Sequence, residues 1–185
     1  MMTIDWADIR DAFQRFTDPA SAADLLRSCL PELSAGAWKL DTVTVGDTKF
    51  KTYGKPSSKI KSTLSVCYHA TVNKRETEGS SAHVFYIKAF LGGRSGMAFR
   101  DYLRERSTHI PIQDPVHHVP EHDMIIWRFP EDPCLPHLSQ LHDLQTVGQH
   151  LPFEGLARIG IKGMQQVISC QVVNYRPEIR CTNRY

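Results

Sequence analysis

The amino-acid sequence predicts an α+β fold in which an antiparallel β-sheet is backed by helices. Apolar residues recur at helical spacing near the amino terminus, alternate with polar ones from Leu64 to Val72, and fill both parities of Ala82 to Phe90. A chain of 185 residues is the right size for one core, so a single domain over 1–185 is expected. With 41% hydrophobic and 23% charged residues, its composition excludes a disordered tail or a fibre.

Two helices are expected first. Trp6, Ile9, Phe13 and Phe16 form one apolar stripe. Asp18-Pro19, a cap followed by proline, then opens a second helix through Ala22, Leu25, Leu26 and Cys29 to a stop at Pro31. A strand from Trp38 to about Tyr53 turns at Gly54-Lys55-Pro56-Ser57-Ser58 into a second strand from Ile60. There Leu64, Val66, Tyr68, Ala70 and Val72 face one way and Lys61, Thr63, Ser65, His69 and Thr71 the other.

The stretch Ala82 to Phe90 reads as a central strand covered on both faces, with Lys88 the exception inside it. Gly92-Gly93-Arg94-Ser95-Gly96 hands over to a helix, with Ser95 a candidate cap, Phe99, Tyr102 and Leu103 inward, and an end near Thr108. After the proline-punctuated Pro111 to Pro120, Met124 to Phe129 is a short buried strand stopped by Pro130. Leu135, Leu138 and Leu141 predict a helical turn or two, and Val167 to Tyr185 a last hairpin turning at Arg176-Pro177-Glu178. The expected organisation is a helical pair at 1–35, a sheet and helix at 36–130, a helical or loop connection at 131–164, and the hairpin at 165–185.

The five cysteines, 29, 67, 134, 170 and 181, are widely spaced without a Cys-x-x-Cys pair, which predicts reduced, buried thiols and a cytoplasmic protein. A net charge of +2 gives no ground for a nucleic-acid partner, and no stretch approaches the length needed to span a bilayer, so no membrane partner is expected.

His83-Val84-Phe85-Tyr86-Ile87-Lys88-Ala89-Phe90 resembles the strand that carries the phosphate-binding lysine of protein kinases and of the aminoglycoside phosphotransferase family. The order around it, a hairpin, the lysine strand, a helix and a strand ending at proline, is similar to the amino-terminal lobe of that family. Glu105, 17 residues after Lys88, stands where the family's helix glutamate pairs with the lysine. Val173-Asn174-Tyr175-Arg176-Pro177 through Tyr185 resembles the first hairpin of bacterial members, and Trp127-Arg128-Phe129-Pro130-Glu131-Asp132-Pro133 resembles a further segment. Tyr53-Gly54-Lys55-Pro56 and Tyr175-Arg176-Pro177 hold matching hairpin positions, as if a second copy of the lobe began there. The resemblance spans residues 36–185 and implies a kinase N-lobe-like fold with Lys88 and Glu105 as nucleotide- or phosphate-binding residues.

Phosphoryl transfer also needs a catalytic aspartate and metal-holding Asn and Asp residues. No histidine here has an aspartate two positions on, and Ile4-Asp5-Trp6, which superficially matches the family's magnesium segment, lies before the lobe and has Ala7 where an acid is needed. Asp5 is read as a helix cap. The expectation is therefore a non-catalytic or truncated phosphotransferase-like domain with no catalytic residue and no metal ligand. It would hold ATP and magnesium only if a carboxyl-terminal lobe were supplied. The alternative is a protein-interaction module that self-associates through its final strand.

Three other constellations carry less. His118-Val119-Pro120-Glu121-His122 fits the His-x-x-Glu-His spacing of zinc peptidases, but Pro120 breaks the helix such a site requires. Lys49, Lys51, Lys55, Lys59 and Lys61 gather around the first hairpin, where lysines either hold an anion or a phosphate backbone or, more commonly, keep a strand edge soluble. Gly92 to Gly96 lacks the Gly-Lys-Ser/Thr ending of a P-loop, so its glycines are assigned to the strand-to-helix turn.

Overall fold

The computed structural model describes residues 6–53, 61–74, 79–105, 115–135, 137–150, 169–177 and 180–184. Helices α1 (Trp6–Thr17), α2 (Pro19–Cys29) and α3 (Pro31–Ser34) come first. Asp18 caps α2 as expected, its Oδ2 accepting both the amide and the hydroxyl of Ser21 at 2.8 Å, with Pro19 behind it. Pro31 ends α2 but also starts α3, because a proline at the first position of a helix gives up an amide that would have no partner there. The expected pair is thus three helices. Phe13, predicted to face inward, is 42% exposed; the buried side of α1 runs through Ile9, Ala12 and Phe16. Tyr68 fastens that last turn by donating its hydroxyl to the Phe16 carbonyl at 2.7 Å.

Five strands, β1 (Trp38–Tyr53), β2 (Lys61–Lys74), β3 (Ser80–Leu91), β4 (Val116–Val119) and β5 (Met124–Phe129), form one sheet in the order β1-β2-β3-β5-β4. Every pairing is antiparallel, so the fold is α+β with an antiparallel sheet backed by helices. The edge strand β4 was not anticipated: its four residues are flanked by prolines, too short a run for alternation to register. Helix α4 (Ser95–Glu105) connects β3 to β4. Beyond β5 come α5 (Leu138–His142), α6 (Leu144–His150) and a separate two-stranded sheet of β6 (Gln171–Arg176) and β7 (Arg180–Arg184). Val167, where the last hairpin was expected to begin, lies outside the described residues, and so does Asp5.

The sheet has two unlike faces. Leu64, Val66, Tyr68, Ala70 and Val72 of β2 and Phe85, Ile87 and Ala89 of β3 pack against α2 and α3 in the main core. On the other face Phe90, Ile125 and Trp127 pack against Tyr102, Ala98 and Phe99 of α4. Phe129 on that face meets Tyr175 of β6 and Leu138 of α5. β3 is central and covered on both sides, and all six residues of β5 are buried. No helix among the described residues is long and apolar enough to cross a membrane.

One buried charge pair ties the helices to the sheet. Arg128 and Glu32 are each 8% exposed, and Arg128 Nη1 donates to Glu32 Oε1 at 2.8 Å. Arg128 also donates from Nε to Glu131 Oε2 at 2.7 Å, and its guanidinium lies 5.5 Å from the centroid of the Trp38 ring. Removing one member of such a pair strands the other charge away from water. Arg128→Met should therefore lower the unfolding free energy by about 3–5 kcal/mol in urea denaturation. Adding Glu32→Leu should restore most of the loss; a single variant within about 1 kcal/mol of wild type would show that the pair does not anchor α3.

Candidate functional site

Alternation along β3 puts Val84, Tyr86, Lys88 and Phe90 on the face that α4 covers, opposite Phe85, Ile87 and Ala89. Lys88 is half-buried, with Nζ 5.2 Å from the centroid of the Phe90 ring. That contact is a cation over an aromatic face and leaves the ammonium partly hydrated. Lys88 pairs with Ser65 of β2, which pairs with Lys49 of β1. Directly opposed residues of neighbouring strands project to the same side, so Lys49, Ser65 and Lys88 form one row across three strands. Lys51 and Thr63 continue the polar surface in the next row, beside Phe90.

Two expected site residues are thus treated differently. Lys88 lies on the face of β3 that α4 covers. Glu105 closes α4, and its side chain lies outside the described residues, so the expected pairing with Lys88 is not described. Of the hairpin lysines, Lys49 and Lys51 are exposed on β1, whereas Lys55 and Lys59 lie outside the described residues.

The row was hidden in the sequence by two one-residue irregularities in β1, between Leu40 and Thr42 and between Val45 and Thr48. Each flips the inward parity, from Leu40 to Val43 and Val45 and then to Phe50, so alternation alone does not say which way Lys49 points. Only the register across the hairpin does.

The glycine turn before α4 is closed from within the fold. Gly92 and Gly93 take φ of 119° and 74°, which residues with a side chain rarely adopt. Asp123, in the turn between β4 and β5, accepts the amide of Gly93 at 2.6 Å through Oδ2 and that of Ser95 at 2.7 Å through Oδ1. Ser95, expected to be the cap, is the first helical residue, and the acid that serves the helix start comes from 28 residues away. An anion is therefore already seated at these amides, and it is this chain's own carboxylate. His118 of β4 hydrogen-bonds through Nε2 with Ser95 Oγ at 3.0 Å and stacks on Phe99 at 4.9 Å, while His122 ends a 3₁₀ turn. No group of metal-ligating side chains is found among the described residues.

Beside Lys88, Cys67 and Tyr86 occupy the next row toward Phe129. Burial pushes the Cys67 thiol up to about 11 and raises the Tyr86 phenol as well. Cys67 Sγ also lies 3.6 Å from His69 Nε2. A thiol held neutral in this way is a poor nucleophile. Its folded value lies above the ordinary 9.0, so the stability it contributes is present below pH 9 and is lost as pH rises from about 9 to about 11.

Two outcomes are expected from this geometry. Iodoacetamide at pH 8 should modify Cys67 at least about tenfold more slowly in the folded chain than in urea, read by mass spectrometry; equal rates would mean an accessible thiolate. Asp123→Ala, which removes both amide acceptors, should cost about 1–2 kcal/mol and speed hydrogen exchange at the start of α4 more than elsewhere. Compared with protein-family models, with curated proteins and with solved structures, the chain matches none.

Proposed function

We propose that this chain is a phosphotransferase-like domain, similar to a kinase amino-terminal lobe, that offers one wall of a nucleotide or anion site and does not transfer phosphate alone. The observation that carries it is the row Lys49-Ser65-Lys88, with Lys88 on the central strand and on the side where α4 packs. Two ammonium groups with a hydroxyl between them suit a di- or triphosphate, whose charge spreads over several oxygens. The order β1-β2 hairpin, lysine strand, α4, β4 and β5 ending at Pro130 supports this reading. In this reading Glu105 is the acid that steadies Lys88. The catalytic aspartate and metal-holding groups would come from a carboxyl-terminal lobe, which supplies the second wall. A cytoplasmic setting is part of the proposal and is supported by five free cysteines.

The second reading is an interaction module. It is favoured by the sheet of β6 and β7, which has two strands and therefore an outer edge on each.

ATP with magnesium at about ten times its dissociation constant should raise Tm by roughly 3–5 °C in the proposed domain. Lys88→Ala should abolish the rise and Lys49→Ala should reduce it. No ATP should be consumed. A Tm unchanged at saturating nucleotide, together with concentration-dependent dimerisation, would favour the interaction module; ATP turnover by the chain alone would overturn the non-catalytic assignment.

A further inference from the structure

Among the described residues, the hairpin of β6 and β7 is fastened to the Lys88 face largely through one side chain. Tyr175 is 7% exposed, and its ring meets Tyr86 edge-on at 4.5 Å and Phe129 at 5.0 Å. Its hydroxyl donates to Asp132 Oδ2 at 2.7 Å, and Asp132 is itself 3% exposed. Val172 and Cys181 add partly buried contact, while Arg180, Thr182 and Arg184 stay exposed. The hairpin does not join the five-stranded sheet but forms its own. A lone two-stranded unit is marginally stable in water, so its seat depends on these side-chain contacts and can open at a lower free energy than the core.

Its position matters because Tyr86 and Lys88 share a face two residues apart, about 7 Å along β3. A ligand whose anionic group met Lys88 and whose flat ring lay along the strand toward Phe129 would need the surface of Tyr86 that Tyr175 covers. We infer that the carboxyl-terminal hairpin is a self-docked strap: Tyr175 occupies the aromatic seat beside Lys88, and a ligand combining a ring with a phosphate chain must displace it. This inference rests on the nucleotide reading above. The strap lowers the apparent affinity by the fraction of time it is open, and releasing it recovers that affinity.

The test measures ADP binding to the full chain by titrated thermal shift, and hydrogen exchange over 171–184 with and without ADP. Tyr175→Ala should bind ADP at least about tenfold more tightly than wild type. Tyr175→Phe, which keeps the ring and loses only the Asp132 bond, should fall between and guards against a Tyr175→Ala chain that does not fold. ADP should speed hairpin exchange in wild type, and Lys88→Ala added to either variant should remove the gain. If both variants bind ADP no more tightly than wild type and hairpin exchange is unmoved, while Lys88→Ala still abolishes binding, the strap is wrong and the nucleotide site stands. If ADP binds neither wild type nor the variants, both ideas fall.

Discussion

β3 has to serve two layers at once, and its period-2 alternation is the constraint from which the rest of the molecule follows. Phe85, Ile87 and Ala89 belong to the core shared with the amino-terminal helices, so Tyr86, Lys88 and Phe90 are committed to the other side. A one-residue slip would drive Lys88 into the main core and turn Ile87 out, which no neighbouring strand could accommodate. The lysine is therefore not free to be anywhere else. Its neighbours are equally constrained, because the registers with β2 and β5 bring Ser65 to one side of it and Ile125 to the other.

The buried charge of Arg128 works on the opposite face. It projects from β5 toward α3 and reaches an acid 96 residues earlier in the chain, so the helical layer is located by a directional bond as well as by apolar contact. Trp38 at the start of β1 lies against the same guanidinium and also 4.8 Å from His83, whose imidazole is lowered by burial and by the nearby Arg128 charge. Charge and ring contacts thus gather at the end of the sheet where β1 begins, away from the Lys88 row.

Much of the fold was legible because it rests on local pattern. The buried parity of β2 was readable from alternation, the covering of β3 and the short β5 from unbroken apolar runs, and the end of β1 from the turn residues that follow it. What was not legible depends on pairings distant in sequence. Asp123 serving α4, Arg128 reaching Glu32 and Tyr175 reaching Asp132 leave no periodic trace, and four-residue β4 falls below the length at which a pattern forms. Lys88 stood out as a charge in an apolar run. Lys49 did not, because bulges in an edge strand scramble the alternation that would have assigned its side.

Asp123 joins three elements at one residue. Its backbone carbonyl accepts the Phe90 amide at 2.7 Å, its own amide reaches Pro120, and its carboxylate holds the first residues of α4. A φ of 47° lets it do all three, and asparagine or aspartate tolerates that angle better than most side chains. The near end of the helix is consequently held in step with the end of β3, while Phe99 and Tyr102 press the rest of it onto the sheet.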